Sequence, residues 1–144
     1  MKITIFGSGY VGFSMATLLA QTHEVLIIDP DQEKVLLINQ GKTTLKDKEI
    51  SLFLTTKKLN IHADLTFLLK HVSSDFFIIA APTNFDEKNS YFDTSIIDLI
   101  VEEINDNNTK TPIIIKSTLP VGHTRYLNQK FLTDRIIFSP EFLR

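Results

Sequence analysis

The chain contains no cysteine among its 144 residues. These residues therefore hold no disulfide, no thiolate metal site and no cysteine nucleophile. Long apolar runs are also missing, none reaching the ~18 residues that a membrane-spanning helix needs. The N-terminus leads straight into a strand-like run, so no signal peptide is expected. An excess of one charge is lacking too: 15 Lys and Arg stand against 17 Asp and Glu, with the basic residues spread along the chain. Neither a nucleic acid nor an anionic membrane is an expected partner. The expected location is the cytoplasm. With 43% hydrophobic residues, the length suits one globular domain with a core of its own.

What the chain does have is concentrated at its start. An apolar run, Ile3 to Phe6, meets three glycines, Gly7, Gly9 and Gly12, spaced G-x-G-x-x-G. A helical apolar pattern follows, then a second apolar run, Val25 to Ile28, which stops at Asp29. Strand, glycine turn, helix, strand and acid, in that order, form the fingerprint of a dinucleotide-binding βαβ unit. Gly7 permits a sharp exit from the strand, Gly9 lets a pyrophosphate approach the backbone, and Gly12 lets the helix sit close on the sheet. The helix N-terminus offers unpaired N–H groups and positive dipole to the phosphates. Asp29 lies 20 residues past Gly9, where a carboxylate accepts from the adenosine ribose and repels a 2′-phosphate. NAD is expected over NADP. The alternative is a tight turn that binds nothing, with Asp29 capping the next helix. It accounts easily for one glycine and poorly for three in this phase.

Further along, the pattern predicts a first helix from Val11 to Thr22 with Met15, Ala16, Leu18 and Leu19 on its apolar face. A second helix runs over DQEKVLLINQ, capped by Asp31 and closed by Gly41. Lys34 in its first turn reads, by position alone, as a surface lysine. DKEISLFLTTKKL holds a short helix with Ile50, Phe53 and Leu54 inward, Leu59 to Ala63 a short strand, and Leu65 to His71 another short helix. His62 and His71 have no partner at metal-ligand spacing and are read as non-catalytic. Asp75 to Ala81 is a continuous apolar run of the kind that suits the centre of a parallel sheet, ended by Pro82, Thr83 and Asn84. A polar loop with three aromatics spans Phe85 to Phe92. Ser95 to Asn105 is amphipathic, with Ile96, Ile97, Ile100, Val101 and Ile104 on one stripe. Pro112 to Ile115 is a strand ending in Lys116, Ser117 and Thr118. A helix reaches to Lys130, and the last strand, Arg135 to Phe138, ends at Ser139, Pro140 and Glu141. The β-α-β alternation predicts an α/β fold of Rossmann type: doubly wound, mostly parallel, with helices on both faces.

Ligands of such a sheet bind beyond the carboxyl ends of its strands. Those ends carry Gly7 to Gly12, Asp29, Pro82 and Thr83, Ser117 and Thr118, and Glu141. Thr83 and Thr118 have hydroxyls for a cofactor or a sugar, and Glu141 is a carboxylate placed to hold a water or take a proton. Read singly, each threonine is equally a helix cap, and Glu141 an acid in a helix's first turn.

GSGYVG, APTNFD, NSYFDTS, IKSTLPVG and IIFSPEFLR, in this order and spacing, resemble the N-terminal domain of the UDP-glucose/GDP-mannose dehydrogenase family across the whole chain. YFDTS and KSTLPVG are more similar to the UDP-glucose enzymes than to those acting on GDP-mannose or UDP-N-acetylmannosamine. The resemblance implies oxidation of a sugar C6 hydroxymethyl to a carboxylate with two NAD, through an aldehyde held as a cysteine thioester and released by water. It implies a pyrophosphate site at Gly7, Ser8, Gly9, Tyr10, Val11 and Gly12. Asp29 and Lys34 would serve the adenosine side, with further NAD contacts at Pro82, Thr83, Ser117 and Thr118. Thr118 and Glu141 take catalytic roles, Thr118 through a water and Glu141 as base or water-organiser. Glu141, Phe142, Leu143 and Arg144 begin the loop that touches the sugar nucleotide. The family's cysteine, its oxyanion-stabilising lysine and asparagine, its central dimerisation helix and its second domain have no counterpart here. The expectation is an N-terminal NAD-binding domain, residues 1–144, that binds NAD alone and meets UDP-glucose mainly through absent segments, within a homodimer when complete. The alternatives are a free-standing NAD-binding module, which a reading frame running past Arg144 to a cysteine would exclude, and a dehydrogenase acting on a different nucleotide sugar, GDP-mannose or UDP-N-acetylmannosamine.

Overall fold

A computed structural model of the chain describes residues 1–65, 73–86, 91–107 and 110–141. Six parallel strands form one sheet in the order β3-β2-β1-β4-β7-β8. They are β1 (Lys2–Phe6), β2 (Glu24–Ile28), β3 (Ile61–Asp64), β4 (Phe76–Ile79), β7 (Ile113–Ile115) and β8 (Ile136–Phe138). The helices are α1 (Tyr10–Leu19), α2 (Gln32–Asn39), α3 (Lys48–Thr56), α4 (Ser95–Asn107) and α5 (His123–Lys130). A small antiparallel pair, β5 (Asn84–Asp86) and β6 (Tyr91–Asp93), stands apart from the main sheet. The expected polar loop thus contains a hairpin. The helix expected over Leu65 to His71 falls, beyond Leu65, outside the described residues, as does His71.

Strand alternation divides the core in two. Ile3 and Ile5 of β1, Val25 and Ile27 of β2 and Ile78 of β4 face one way, against Phe13 and Ala16 of α1, Val35 and Ile38 of α2 and Ile50 of α3. Phe6, Ile28, Phe77 and Ile79 face the other way, against Ile97, Ile100, Val101 and Ile104 of α4 and Leu127 of α5. Both faces of the sheet are covered, which is why its central strands read as unbroken apolar runs.

Two expected faces shift. The buried side of α1 is Gly12, Phe13, Ala16 and Thr17, while Leu18 is 61% exposed. The stripe of α4 loses Ile96, which turns outward at the helix start. Asp31 caps α2 as expected, and Asp47, not singled out in the sequence, caps α3. Asp31 accepts from the N–H groups of Glu33 (3.0 Å) and Lys34 (3.3 Å). Asp47 accepts from Ile50 (2.9 Å). At the opposite end of the sheet, the buried Arg135 guanidinium donates to the Thr111 carbonyl (2.6 Å) and Asn105 Oδ1 (3.0 Å), tying β8 to the segments flanking it.

Candidate functional site

From β1 the chain winds outward through β2 and β3 on one side. It then crosses to build β4, β7 and β8 on the other. The carboxyl ends of β1 and β4 are therefore a topological switch point, and a crevice opens there. It holds a cavity of about 690 Å3 whose floor is Gly7, Ser8 and Gly9.

The glycines divide the work among themselves. Gly7 has φ +96, and a Cβ there would meet the Ala80 carbonyl oxygen at 2.7 Å. A Cβ on Gly12 would overlap the Gly7 carbonyl oxygen. These two are required by the fold itself. Gly9 is not: its φ is −69 and a Cβ there would meet nothing within 4 Å. Any residue fits Gly9 conformationally, and the space above it opens to the cavity. Gly9 caps α1 without a side-chain hydrogen bond, so the helix's first-turn N–H groups are left for a ligand. Open space over Gly9 and a helix N-terminus without a side-chain cap suit an anionic group such as a pyrophosphate.

On the β2 side, Asp29 is 5% exposed and its carboxylate is held from several directions. Oδ2 accepts from the Ser8 N–H (2.7 Å) and the Ser8 hydroxyl (2.5 Å). Oδ1 accepts from the Asp31 N–H at 3.0 Å. Lys34 Nζ stands 4.0 Å from Asp29 and 3.9 Å from Asp31. Burial alone would raise this carboxyl. The Ser8 hydroxyl, the Asp31 and Ser8 N–H groups and the Lys34 ammonium together outweigh burial and hold it below its ordinary 3.8. Lys34, expected from position alone to be a surface lysine, lines the cavity.

On the other side, Pro82, Thr83, Ser117, Thr118 and Glu141 share the same cavity wall. The Ser117 hydroxyl donates to the Ala81 carbonyl (2.6 Å), so it braces β7 against β4. Gly12 is buried behind the loop. Phe142, Leu143 and Arg144 lie outside the described residues. Residues that the sequence did not mark as site residues also line the cavity. Ile96 and Ile100 form an apolar wall, and Lys116 reaches Glu141 at 3.6 Å and donates to Ser139 Oγ at 3.3 Å. The signal for Lys116 was a charged residue directly after an all-isoleucine strand; its side chain is only 10% exposed. Among the described residues, no three His, Cys, Asp or Glu side chains gather as a metal site. No helix among them is long and apolar enough to cross a membrane.

A glycine cradle at a helix N-terminus, a buried carboxylate just past the end of β2 and a cleft at the switch point define a Rossmann-type dinucleotide-binding domain. The chain belongs to the UDP-glucose/GDP-mannose dehydrogenase family, whose NAD binding domain matches residues 1–144. It is 48% identical to a UDP-glucose 6-dehydrogenase of Streptococcus pneumoniae, over all of this chain and 36% of that protein. It is 41% identical to a UDP-glucose 6-dehydrogenase of Campylobacter jejuni, over all of this chain and 37% of that protein. A solved ternary complex of GDP-mannose dehydrogenase from Pseudomonas aeruginosa superposes on the whole chain with a TM-score of 0.79 at 26% identity, covering 37% of that structure. The chain thus spans about a third of the length of the curated relatives it matches. The family's cofactor is NAD.

Proposed function

We propose that these residues are the N-terminal NAD-binding domain of a UDP-glucose 6-dehydrogenase that converts UDP-glucose to UDP-glucuronate. The observation that carries the substrate is the 48% identity with a UDP-glucose 6-dehydrogenase along the entire chain, against 29% with the GDP-mannose 6-dehydrogenase of Pseudomonas aeruginosa. The dinucleotide, when bound, supplies the hydride acceptor. The chain's own residues position it. Gly9 and the N-terminus of α1 take the pyrophosphate, Asp29 and Lys34 the adenosine ribose, and Pro82, Thr83, Ser117 and Thr118 the opposite half. Ile96 and Ile100 keep water from one wall of the cleft. Glu141, held by Lys116, organises or deprotonates a water beside Thr118, and the segment from Glu141 to Arg144 meets the sugar nucleotide. The thiolate of the covalent step has no source within these residues, which contain no cysteine. It comes from the remainder of a longer, homodimeric enzyme.

Two measurements test this reading. Calorimetric titration of the chain is expected to show NAD binding, with little heat from NADP or UDP-glucose. In the longer enzyme, UDP-glucose is expected to yield two NADH per molecule and to outcompete GDP-mannose and UDP-N-acetylmannosamine. Preference for either of those sugars would overturn the substrate. Absence of NAD binding by both the chain and the longer enzyme would overturn the site.

A further inference from the structure

Ser8 is the variable position inside G-x-G, where the dinucleotide fingerprint asks for no particular side chain. Ser8 lines the cavity, but its hydroxyl is engaged by Asp29 rather than left free for a phosphate. Ser8 is 3% exposed, and its hydroxyl and its N–H both close on the same oxygen, Asp29 Oδ2. A carboxylate has about four lone-pair directions. Two are filled by Ser8 and one by the Asp31 N–H. We propose that Ser8 is a specificity-determining positioning residue: it pins the Asp29 carboxylate so that one acceptor direction is offered to a ribose hydroxyl and the acid cannot swing aside for a 2′-phosphate.

The physical basis is the alternative open to the acid. A dinucleotide with a 2′-phosphate is accepted only if Asp29 rotates away, becomes protonated, or is approached by a cation. Lys34, 4.0 Å off, is such a cation already at hand. The charge pair by itself would therefore let the carboxylate pivot toward Lys34 and leave room for phosphate. Two short bonds from one residue on the glycine loop oppose that pivot. They also couple the loop to β2, beside the bond from the Gly7 N–H to the Ile28 carbonyl (2.9 Å), so the phosphate cradle and the ribose acceptor are held together. The hydroxyl adds to what any residue's N–H would supply, because hydrogen bonds to a charged acceptor are stronger than neutral ones. Its bond is the largest of the influences that keep Asp29 ionised against burial.

The inference rests on reading Asp29 as the ribose acceptor, and the test separates the two. The 144-residue chain is prepared as wild type, Ser8→Ala and Asp29→Ala. Carboxyl NMR follows Asp29 through a pH titration without cofactor, and calorimetry measures NAD and NADP binding. For Ser8→Ala the Asp29 midpoint is expected to rise. NAD affinity is expected to fall about fivefold and the preference for NAD over NADP to shrink about tenfold, the range of one charge-assisted hydrogen bond. An unmoved midpoint overturns the contact. A raised midpoint with unchanged NAD/NADP preference, while Asp29→Ala alters that preference, overturns the specificity role and leaves the Asp29 reading standing. Unchanged preference in Asp29→Ala removes the ribose reading, and the role of Ser8 with it, even where NMR shows the bond.

Discussion

Gly9 and Gly12 stand three positions apart and would answer an added side chain in opposite ways. A Cβ on Gly12 overlaps the backbone of Gly7, which cannot move without disturbing β1 and its neighbours. Gly12→Ala is expected to lower unfolding free energy by about 2 kcal/mol or more in urea melts, the scale of overpacking against a rigid neighbour. Gly9→Val is expected to leave the melt nearly unchanged, since its Cβ meets no atom within 4 Å and its φ is −69. It should nevertheless abolish NAD binding by calorimetry, because the valine fills the pyrophosphate cradle. A large stability loss in Gly9→Val, or full NAD affinity, would contradict the assignment of that space. Asp29 makes a second prediction at this scale. Its carboxyl is held below the ordinary value in the folded chain, so between the two values the unfolded chain binds more protons. The stability it contributes is complete above about 3.8 and is lost as pH falls through the lower, folded value. Wild type is therefore expected to lose more stability than Asp29→Asn between pH 7 and pH 3, measured by urea unfolding. Equal losses would show that the Ser8 and Asp31 bonds do not favour the charged form.

Among the elements, α4 separates packing from binding within one helix. Ile104 is fully buried against the sheet, whereas Ile96 is 38% exposed at the rim of the cavity. Ile104→Ala is expected to cost about 2–5 kcal/mol of stability. Ile96→Ala should cost little in a melt but weaken NAD binding, and a reversal of the two effects would mean that the helix is rotated from the position described. The periodicity of α4 was legible, but not that its first isoleucine serves the ligand, because a stripe marks an apolar face without saying what covers it. The same limit applies to α1, where Leu18 shares the hydrophobic pattern yet lies outside. The buried side there is chosen by how closely Gly12 and Ala16 let the helix approach the sheet. Strands β1, β2 and β4 were plain from their apolar runs. The β5–β6 hairpin was not, because two three-residue strands have too few positions to show a period. Glycine loop, Asp29, Thr83, Thr118 and Glu141 were readable as strand-end residues. The Ser8–Asp29 and Lys116–Glu141 contacts were not, since each joins residues from separate strand ends and depends on where the side chains turn.

At the scale of the molecule, the cavity draws its walls from nearly every strand end, so a ligand seated there bridges both halves of the sheet. Anything that binds the folded chain and not the unfolded one raises its stability by an amount set only by concentration and affinity. At a hundredfold excess over Kd that is about 2.7 kcal/mol, corresponding to a rise in Tm of about 8 °C for a domain of this size. NAD is therefore expected to raise the melting temperature of the chain by several degrees in a scanning fluorimetry series. NADP at equal concentration should do so far less, and UDP-glucose hardly at all. Gly9→Val supplies the control, because it should melt like wild type without NAD and gain nothing from its addition. Equal rises with NAD and NADP would remove Asp29 as the discriminating acid. A rise with UDP-glucose alone would place the sugar nucleotide, rather than the dinucleotide, in the crevice between β1 and β4.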